Sequence, residues 1–132
     1  MTIMDIYSKL GNSYNMKTVL VADDNDFIRG LIRHALKKEG FGVIEADDGD
    51  TAVEALHHHP EIESVVLDLK MPKMSGKKAY SLIRSSRPDL KCIVCSGNIN
   101  DEEKEELSLM GIKTFLIKPF PFEDLFKAID DH

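Results

Sequence analysis

The sequence predicts an α/β protein in which helices cover both faces of one parallel sheet. Five short apolar segments alternate with five longer segments of mostly helical character. Three of the apolar segments are nearly uninterrupted runs of Val, Ile, Leu and Cys, which is typical of strands covered on both faces. Strict alternation of strand and helix implies right-handed βαβ units. We therefore expect a doubly wound, five-stranded parallel sheet.

The apolar segments define the predicted strands. In chain order they are Thr18–Ala22, Gly42–Ala46, Ser64–Leu67, Cys92–Cys95 and Thr114–Ile117. Five strands in this alternation favour the flavodoxin-like (βα)5 arrangement with strand order 2-1-3-4-5. Cys92 and Cys95 are three positions apart on one strand, so they point to opposite faces. Because no second Cys or Cys/His pair could complete a zinc site, we interpret both as core residues.

The first two helices are predicted from apolar spacing and from their stop signals. A single stripe in the first helix comprises Phe27, Ile28, Leu31, Ile32, Ala35 and Leu36. Gly40 is a typical stop signal for that helix. The second helix follows Asp48-Gly49 and ends before Pro60. His57, His58 and His59 lie at its end and are interpreted as a solvated face, because adjacent helical residues diverge and cannot grip one ion.

The last three helices follow the same logic. The third begins after Ser75-Gly76 and ends near Arg87-Pro88-Asp89, and the fifth carries Phe122, Leu125, Phe126 and Ile129. The fourth opens with Asn100 as an N-cap residue and Glu103 three positions later. Its apolar stripe consists of little more than Leu107 and Met110. We predict that the fourth helix is the least firmly held.

Length and charge restrict the class of protein. The chain has 132 residues and a net charge of −6, which suits one domain and argues against direct nucleic-acid binding, because phosphate contacts need clustered Lys and Arg. No apolar run approaches the ~20 residues that span a bilayer, and the N-terminus does not resemble a signal peptide. We expect a cytoplasmic protein without membrane insertion.

Residues 17–132 form the predicted domain. Residues 1–16 are interpreted as an N-terminal extension or an expression remnant, with a short extra helix as the alternative.

Polar side chains follow four of the predicted strands. Asp23 and Asp24 come after the first strand, Asp68 after the third, Ser96 after the fourth and Lys118 after the fifth. In a doubly wound sheet these carboxyl ends lie at one rim, where ligands bind. Three neighbouring carboxylates resist ionisation unless a cation is present, and carboxylate oxygens suit Mg²⁺. A carboxylate can also attack phosphorus and form an acyl phosphate, with Lys118 and Ser96 available to bind the charged phosphoryl group.

Four stretches at these strand ends resemble the receiver domain of response regulators and hybrid histidine kinases. They are VLVADDN, VVLDLKMPKMSG, IVCSGN and FLIKPF, and they extend from about Lys17 to the end of the chain. Their order and spacing match the family. The resemblance implies a phosphoacceptor domain of two-component signalling, which works with Mg²⁺ or Mn²⁺. Such a domain catalyses only its own phosphorylation and its own slow dephosphorylation. It does not turn over a separate substrate and is therefore not expected to be an enzyme.

The resemblance also implies roles for the site residues. Asp68 resembles the phosphoacceptor, Asp24 a direct metal ligand and Asp23 a ligand that acts through water. The backbone carbonyl of Lys70 is expected to complete the metal site. Lys118 is expected to bond the phosphoryl group, and its bond to Pro119 resembles one that is often cis in the family.

A second group of residues is implied to convert phosphorylation into a signal. Ser96 and Phe115 occupy the family's two switch positions, and the surface of the fourth helix, fifth strand and fifth helix is expected to change shape. Lys70 and Asn98 match positions that tune the lifetime of the acyl phosphate. The expected partners are a sensor histidine kinase or a His-phosphotransfer protein of a phosphorelay, and a downstream protein bound through that surface. The fourth-helix face is also the expected site of any homodimer.

Two other functions compete with this hypothesis. A metal-dependent aspartyl-phosphate phosphohydrolase needs a second acid two residues after the nucleophile, where this chain has Lys70. A degenerate receiver acting as a phosphorylation-independent binding module would lack acceptor-site residues, yet they are all present. The phosphoacceptor hypothesis is therefore favoured. Both a free-standing regulator and a receiver belonging to a longer hybrid kinase fit it, with a slight preference for the latter.

Overall fold

The parallel sheet has the predicted topology. The structure is a computed structural model that describes residues 17–130, so the interpretation of residues 1–16 lies outside the described part. Its five strands lie in the order β2-β1-β3-β4-β5, all parallel, which confirms the doubly wound flavodoxin-like arrangement. The strands are β1 Thr18–Ala22, β2 Gly42–Ala46, β3 Ile62–Asp68, β4 Lys91–Ser96 and β5 Thr114–Ile117.

Two strands are longer than their apolar cores predicted. β3 begins two residues earlier and includes Asp68, and β4 gains Lys91 and Ser96. Backbone pairing continues beyond the apolar residues, since Asp68 is paired with Cys95 and Ile62 with Thr18. Apolar patterning reports which side chains are covered, whereas strand length depends on backbone hydrogen bonds.

Four of the five helices begin directly after a capping residue. They are α1 Asp26–Lys38, α2 Gly49–His58, α3 Gly76–Ser86, α4 Asp101–Leu109 and α5 Phe122–Asp130. Side chains of Asn25, Asp48, Ser75 and Asn100 accept backbone N–H groups at the starts of α1 to α4. The Asn100–Glu103 capping box predicted for α4 is present. None of the helices within residues 17–130 is both long and apolar enough to span a membrane.

The core consists of one apolar layer on each face of the sheet. α1 and α5 cover one face, with Ile32, Leu36, Leu125 and Ile129 buried there. α2, α3 and α4 cover the other, and Leu107 is the residue of α4 that is fully buried. The thin attachment of α4 therefore agrees with its apolar pattern.

The predicted placement of the two cysteines on opposite faces of the sheet is confirmed. Cys92 lies in the layer under α2 to α4 and Cys95 in the layer under α1 and α5. Burial raises the pKa of both thiols, that of Cys95 to about 12. Buried neutral thiols are poor nucleophiles and poor metal ligands, as expected of core residues.

The prediction that one broad apolar stripe of α1 packs on the sheet is partly wrong. Phe27 is 72% exposed and Leu31 is 42% exposed, and Leu82 of α3 is 41% exposed. Only the narrow side of α1 that contains Ile32 and Leu36 faces the sheet. Phe27 is in the first turn, at the carboxyl edge of the strands, and Leu31 lies on the flank of the helix.

Burial within α1 predicts very different mutational costs. Leu36→Ala is expected to lower the free energy of unfolding by about 2–5 kcal/mol, because it leaves a cavity in a fully buried site. Phe27→Ala is expected to change it by no more than about 0.5 kcal/mol, because the ring is already largely in water. Urea denaturation of both variants measures this difference, and equal losses would contradict the assignment of faces.

Candidate functional site

Asp23 and Asp24 are free of the capping role at the start of α1. The Asn25 side chain caps that helix by accepting the N–H of Ile28 at 2.9 Å. Asp23 is 2% exposed, and its Oδ1 accepts the N–H of Asn25 at 2.9 Å. Asp24 is exposed and makes no hydrogen bond or ion pair with any other residue of the described range 17–130. Its carboxylate is therefore available to an external ligand.

Asp68 ends the central strand and faces the same rim. Asp68 is 8% exposed, and its Oδ1 accepts the N–H of Lys70 at 3.1 Å. β3 lies between β1 and β4 in the sheet, so its end has the loops of both neighbours beside it. This central position explains how a charged residue is nearly buried at the end of an apolar strand.

Lys118 reaches across the rim to two of the carboxylates. Its Nζ lies 2.5 Å from Asp23 Oδ2 and 3.5 Å from Asp68 Oδ2. The backbone N–H of Lys118 donates to the carbonyl of Ser96 at 2.8 Å, which ties the ends of β4 and β5 together. The Lys118-Pro119 peptide bond is cis, as the resemblance implied.

The three carboxylates are close enough to share a cation. One oxygen from each of Asp23, Asp24 and Asp68 lies within 4.8 Å of the others. An all-oxygen, anionic donor set beside an open rim matches the preference of Mg²⁺ for carboxylates together with waters and phosphate oxygens. The residues present therefore fit a divalent hard cation.

The charges at the rim shift pKa values in a consistent way. Burial raises the pKa of Asp68, and the nearby charge of Asp23 adds to the rise, against lowering by the Lys70 N–H and by Lys118. For Lys118, burial alone would lower the pKa, but the bond to Asp23 and the charge of Asp68 outweigh it and the pKa is raised. Lys118 is therefore firmly protonated, whereas the charge on Asp68 is costly without a further cation.

Ser96 ends β4 and Phe115 lies within β5, and within residues 17–130 the Ser96 hydroxyl makes no hydrogen bond to Asp68. The buried hydroxyl of Ser96 donates to the carbonyl of Asn98 at 2.9 Å and accepts the Asn98 N–H at 3.3 Å. Phe115 is half-buried against the layer under α2 to α4. The Nζ of Lys104, in α4, lies 5.6 Å from the centre of its ring. Ser96 is thus held by hydrogen bonds to Asn98, and Phe115 by its contact with Lys104 and by apolar packing.

The remaining sequence-based assignments have mixed outcomes. His57 and His58 are exposed at the end of α2, as expected, and His58 lies 3.7 Å from Glu54. Lys70 and Asn98 are both exposed. Lys70 is bonded through its N–H to Asp68, and Asn98 is bonded to Ser96. The contact between Lys104 and Phe115 was missed, because a single Lys within an acidic helix gives no sign of an aromatic ring eleven residues later.

A family model supplies the decisive comparison. The model described as the response regulator receiver domain matches residues 19–130. The chain belongs to this family. Receiver domains are phosphoacceptor signalling domains that interact with histidine kinases and downstream targets, and they are generally not true enzymes.

Relatives of this receiver domain occur both as free-standing proteins and within long sensors. It is 33% identical to the chemotaxis protein CheY of Bacillus subtilis over 114 residues, covering 85% of this chain and 93% of CheY. It is 32% identical to the CAI-1 autoinducer sensor kinase/phosphatase CqsS of Vibrio cholerae over 113 residues, covering 83% of this chain but only 16% of CqsS.

Solved structures with the same fold include receivers in different contexts. A response regulator receiver protein from Pseudomonas putida superposes with a TM-score of 0.84 at 31% identity, over 89% of this chain and 98% of that one. CheY in a CheX-CheY-BeF3-Mg complex from Borrelia burgdorferi gives a TM-score of 0.80 at 31% identity, over 85% of each chain. The similarity therefore extends over nearly the whole described domain.

The cost of burying Asp68 predicts a stability change in this receiver domain. Because the pKa of Asp68 is raised in the native state, ionisation at neutral pH favours the unfolded chain. Asp68→Asn is therefore expected to raise the melting temperature in metal-free buffer near pH ~7 by a few degrees, the shift that about 1 kcal/mol causes. The gain shrinks as the pH falls towards the raised pKa, because the wild-type carboxylate is then protonated too.

Thermal melts followed by circular dichroism, with a chelator present, measure this gain across the acidic range. Asp89→Asn is the matched control, because it removes the same charge from an exposed residue that precedes β4, away from the rim. A wild-type protein as stable as Asp68→Asn at every pH would contradict the assigned cost of burial.

Proposed function

We propose that Asp68 accepts a phosphoryl group from the phosphohistidine of a sensor histidine kinase or a His-phosphotransfer protein. Asp24, Asp68 and the backbone carbonyl of Lys70 would hold Mg²⁺ or Mn²⁺, with Asp23 acting through a water molecule. The observation that supports this proposal is the meeting of three carboxylate oxygens within 4.8 Å beside the Nζ of Lys118. A nucleophile, a cation site and a fixed positive charge then share one rim.

The proposed transfer joins an Asp68 carboxylate oxygen to phosphorus while the P–N bond of the donor breaks. The donor imidazole leaves with the bonding electron pair and takes up a proton. Mg²⁺ held by these residues would supply positive charge that allows the carboxylates to ionise together and offsets the charge of the phosphoryl oxygens. Lys118 is placed to bond one of those oxygens, and Ser96 can donate its hydroxyl to another once it leaves the Asn98 carbonyl.

Phosphorylation would then shift the domain between two arrangements. In the proposed active arrangement Ser96 turns to the phosphoryl group, and Phe115 turns inward away from Lys104. We define the output surface as α4, β5 and α5. Its weakly attached α4 and the exposed Ile117 support a role in binding a downstream protein, and a homodimer would use the α4 side.

Acetyl phosphate provides a direct test of the acceptor. We expect one phosphoryl adduct in the intact-protein mass, which requires both the divalent ion and Asp68, because the ionised carboxylate is the nucleophile. The measurement compares wild type with Asp68→Asn, each with Mg²⁺ and with a chelator. Mn²⁺ is expected to substitute for Mg²⁺.

Other outcomes of this test would oppose the proposal in different ways. A folded wild-type protein that gains no adduct from acetyl phosphate or from a phosphorylated donor would favour a phosphorylation-independent binding module. Continued release of phosphate with many turnovers would favour a phosphohydrolase. An adduct that persists in Asp68→Asn would place the acceptor elsewhere.

The phosphoryl adduct on Asp68 also allows a test of whether Lys70 lengthens the lifetime of the acyl phosphate. The N–H of Lys70 is bonded to Asp68, so its side chain begins beside the acceptor and can hold the phosphoryl group or shield it from water. Lys70→Ala is expected to speed loss of the adduct about 5-fold, the effect of roughly 1 kcal/mol on a barrier. Asn98 is proposed to tune the same step from the opposite side.

The decay rate is measured by mass after removal of acetyl phosphate. Lys78→Ala is the matched control, since Lys78 is an exposed lysine of α3. If the adduct of Lys70→Ala decays at the wild-type rate, Lys70 has no role in the lifetime.

A further inference from the structure

The segment between Asp68 and α3 contains a strained turn. We call Leu69–Ser75 the acceptor loop. Lys73 has φ +65, and among the described non-glycine residues it is the one with a positive φ. The N–H of Met74 donates to the carbonyl of Pro72 at 2.7 Å, which closes a three-residue turn around Lys73. Turns of this kind with a positive central φ are rare, and they persist only where surrounding contacts enforce them.

The beginning of the acceptor loop is fixed by α3. A Cβ on Gly76 would lie 2.7 Å from the Cα of Leu69 and would also collide with the backbone carbonyl of Asp68. The N–H of Gly76 donates to the carbonyl of Leu69 at 3.0 Å. Met71, in the middle of the loop, is buried in the layer under α2 to α4. These contacts leave the turn at Lys73 as the part that α3 does not hold.

The start of α2 holds that remaining part. A Cβ on Gly49 would lie 2.7 Å from the carbonyl oxygen of Met74 and 2.8 Å from its Cβ, closer than real atoms approach. The adjacent Asp48 is buried and places Oδ2 at 3.5 Å from the Nζ of Lys73. Asp48 is itself fixed by a capping box with Thr51. Both residues at the start of α2 therefore contact the strained turn.

From these contacts we infer that Gly49 and Asp48 are positioning residues for the metal site. They hold the turn at Lys73 and Met74. No backbone hydrogen bond within residues 17–130 holds the peptide group between Lys70 and Met71. The position of the turn that follows then sets where the carbonyl of Lys70 points. This inference rests on the proposed function, in which that carbonyl is a metal ligand. Within residues 17–130, neither residue makes a hydrogen bond or ion pair with Asp23, Asp24 or Asp68, so both act through the acceptor loop.

Gly49 contributes more than Asp48 to this positioning. Lys73 is largely exposed, and an ion pair with an exposed lysine is weak. The contact of Gly49 is with the backbone of Met74, so any side chain at position 49 must displace the loop itself. Loss of a supporting contact to a metal ligand typically costs about 10-fold or more in affinity.

The test is calorimetric titration of Mg²⁺ into the unphosphorylated protein, with acetyl phosphate phosphorylation measured across the same Mg²⁺ range. Gly49→Ala is expected to raise the Mg²⁺ dissociation constant about 10-fold. The maximal phosphorylation rate is expected to return at saturating Mg²⁺, because Asp68 and Lys118 are unchanged. Gly30→Ala is the matched control within a helix, since a Cβ there meets only the end of the flexible Arg33 side chain, at 3.7 Å.

A second variant covers the case in which Gly49→Ala does not fold. Asp48→Asn keeps a good N-cap residue but removes the charge that faces Lys73, and it is expected to raise the dissociation constant about 2-fold. Asp50→Asn, an exposed acid of the same helix, controls for the loss of charge.

The outcomes separate this inference from the proposed function. Wild type that binds no Mg²⁺ overturns the proposed function and the inference together. Wild type that binds Mg²⁺, with a folded Gly49→Ala of equal affinity, overturns the inference alone. If Gly49→Ala does not fold, equal affinities of Asp48→Asn and Asp50→Asn overturn it.

Discussion

The mutual repulsion of carboxylates at the end of the sheet is the constraint on which the site depends. Asp23 and Asp68 are both nearly buried, and Asp24 adds a third charge within 4.8 Å. Lys118 is the one side chain of the described range that forms an ion pair with two of them. A single ammonium group cannot balance three carboxylates, so the rim has an uncompensated negative charge that favours a divalent cation.

This imbalance links stability to chemistry. Lys118 binds Asp23 more closely than Asp68, with distances of 2.5 and 3.5 Å to the two carboxylates. Asp68 is consequently left as the less compensated of the buried pair, and burial raises its pKa. In the proposed phosphotransfer, the nucleophile Asp68 would thus be kept from a full ion pair that would reduce its reactivity. The domain gives up native-state stability at this position, as is common where function needs a particular charge.

The sequence predicted the rim of the site better than the contacts that support it. Asp23, Asp68 and Lys118 could be placed together because each directly follows a strand, and parallel strands end at one edge. The exposure of Phe27 could not be foreseen, because helical periodicity does not report how wide a strip the sheet covers. The packing of Gly49 on Met74 links residues twenty-five apart, and local patterns indicated only a helix start at that glycine.

The weakness of the contacts around Ser96 and Phe115 suits the proposed switch, in which one phosphoryl group would shift both residues. A cation–π contact such as that of Lys104 with Phe115 contributes about 0.5–1 kcal/mol at an exposed site, and a neutral hydrogen bond such as that of Ser96 with Asn98 about 1 kcal/mol. Moving a two-state population from 1:99 to 99:1 needs roughly 5.5 kcal/mol of differential binding. Charge-assisted bonds from Lys118 and Ser96 to a phosphoryl group are roughly twice as strong as neutral ones. Two such bonds, together with a shared cation, are of the size needed to outweigh the local contacts, whereas a more deeply buried Phe115 or a better-packed α4 would resist them.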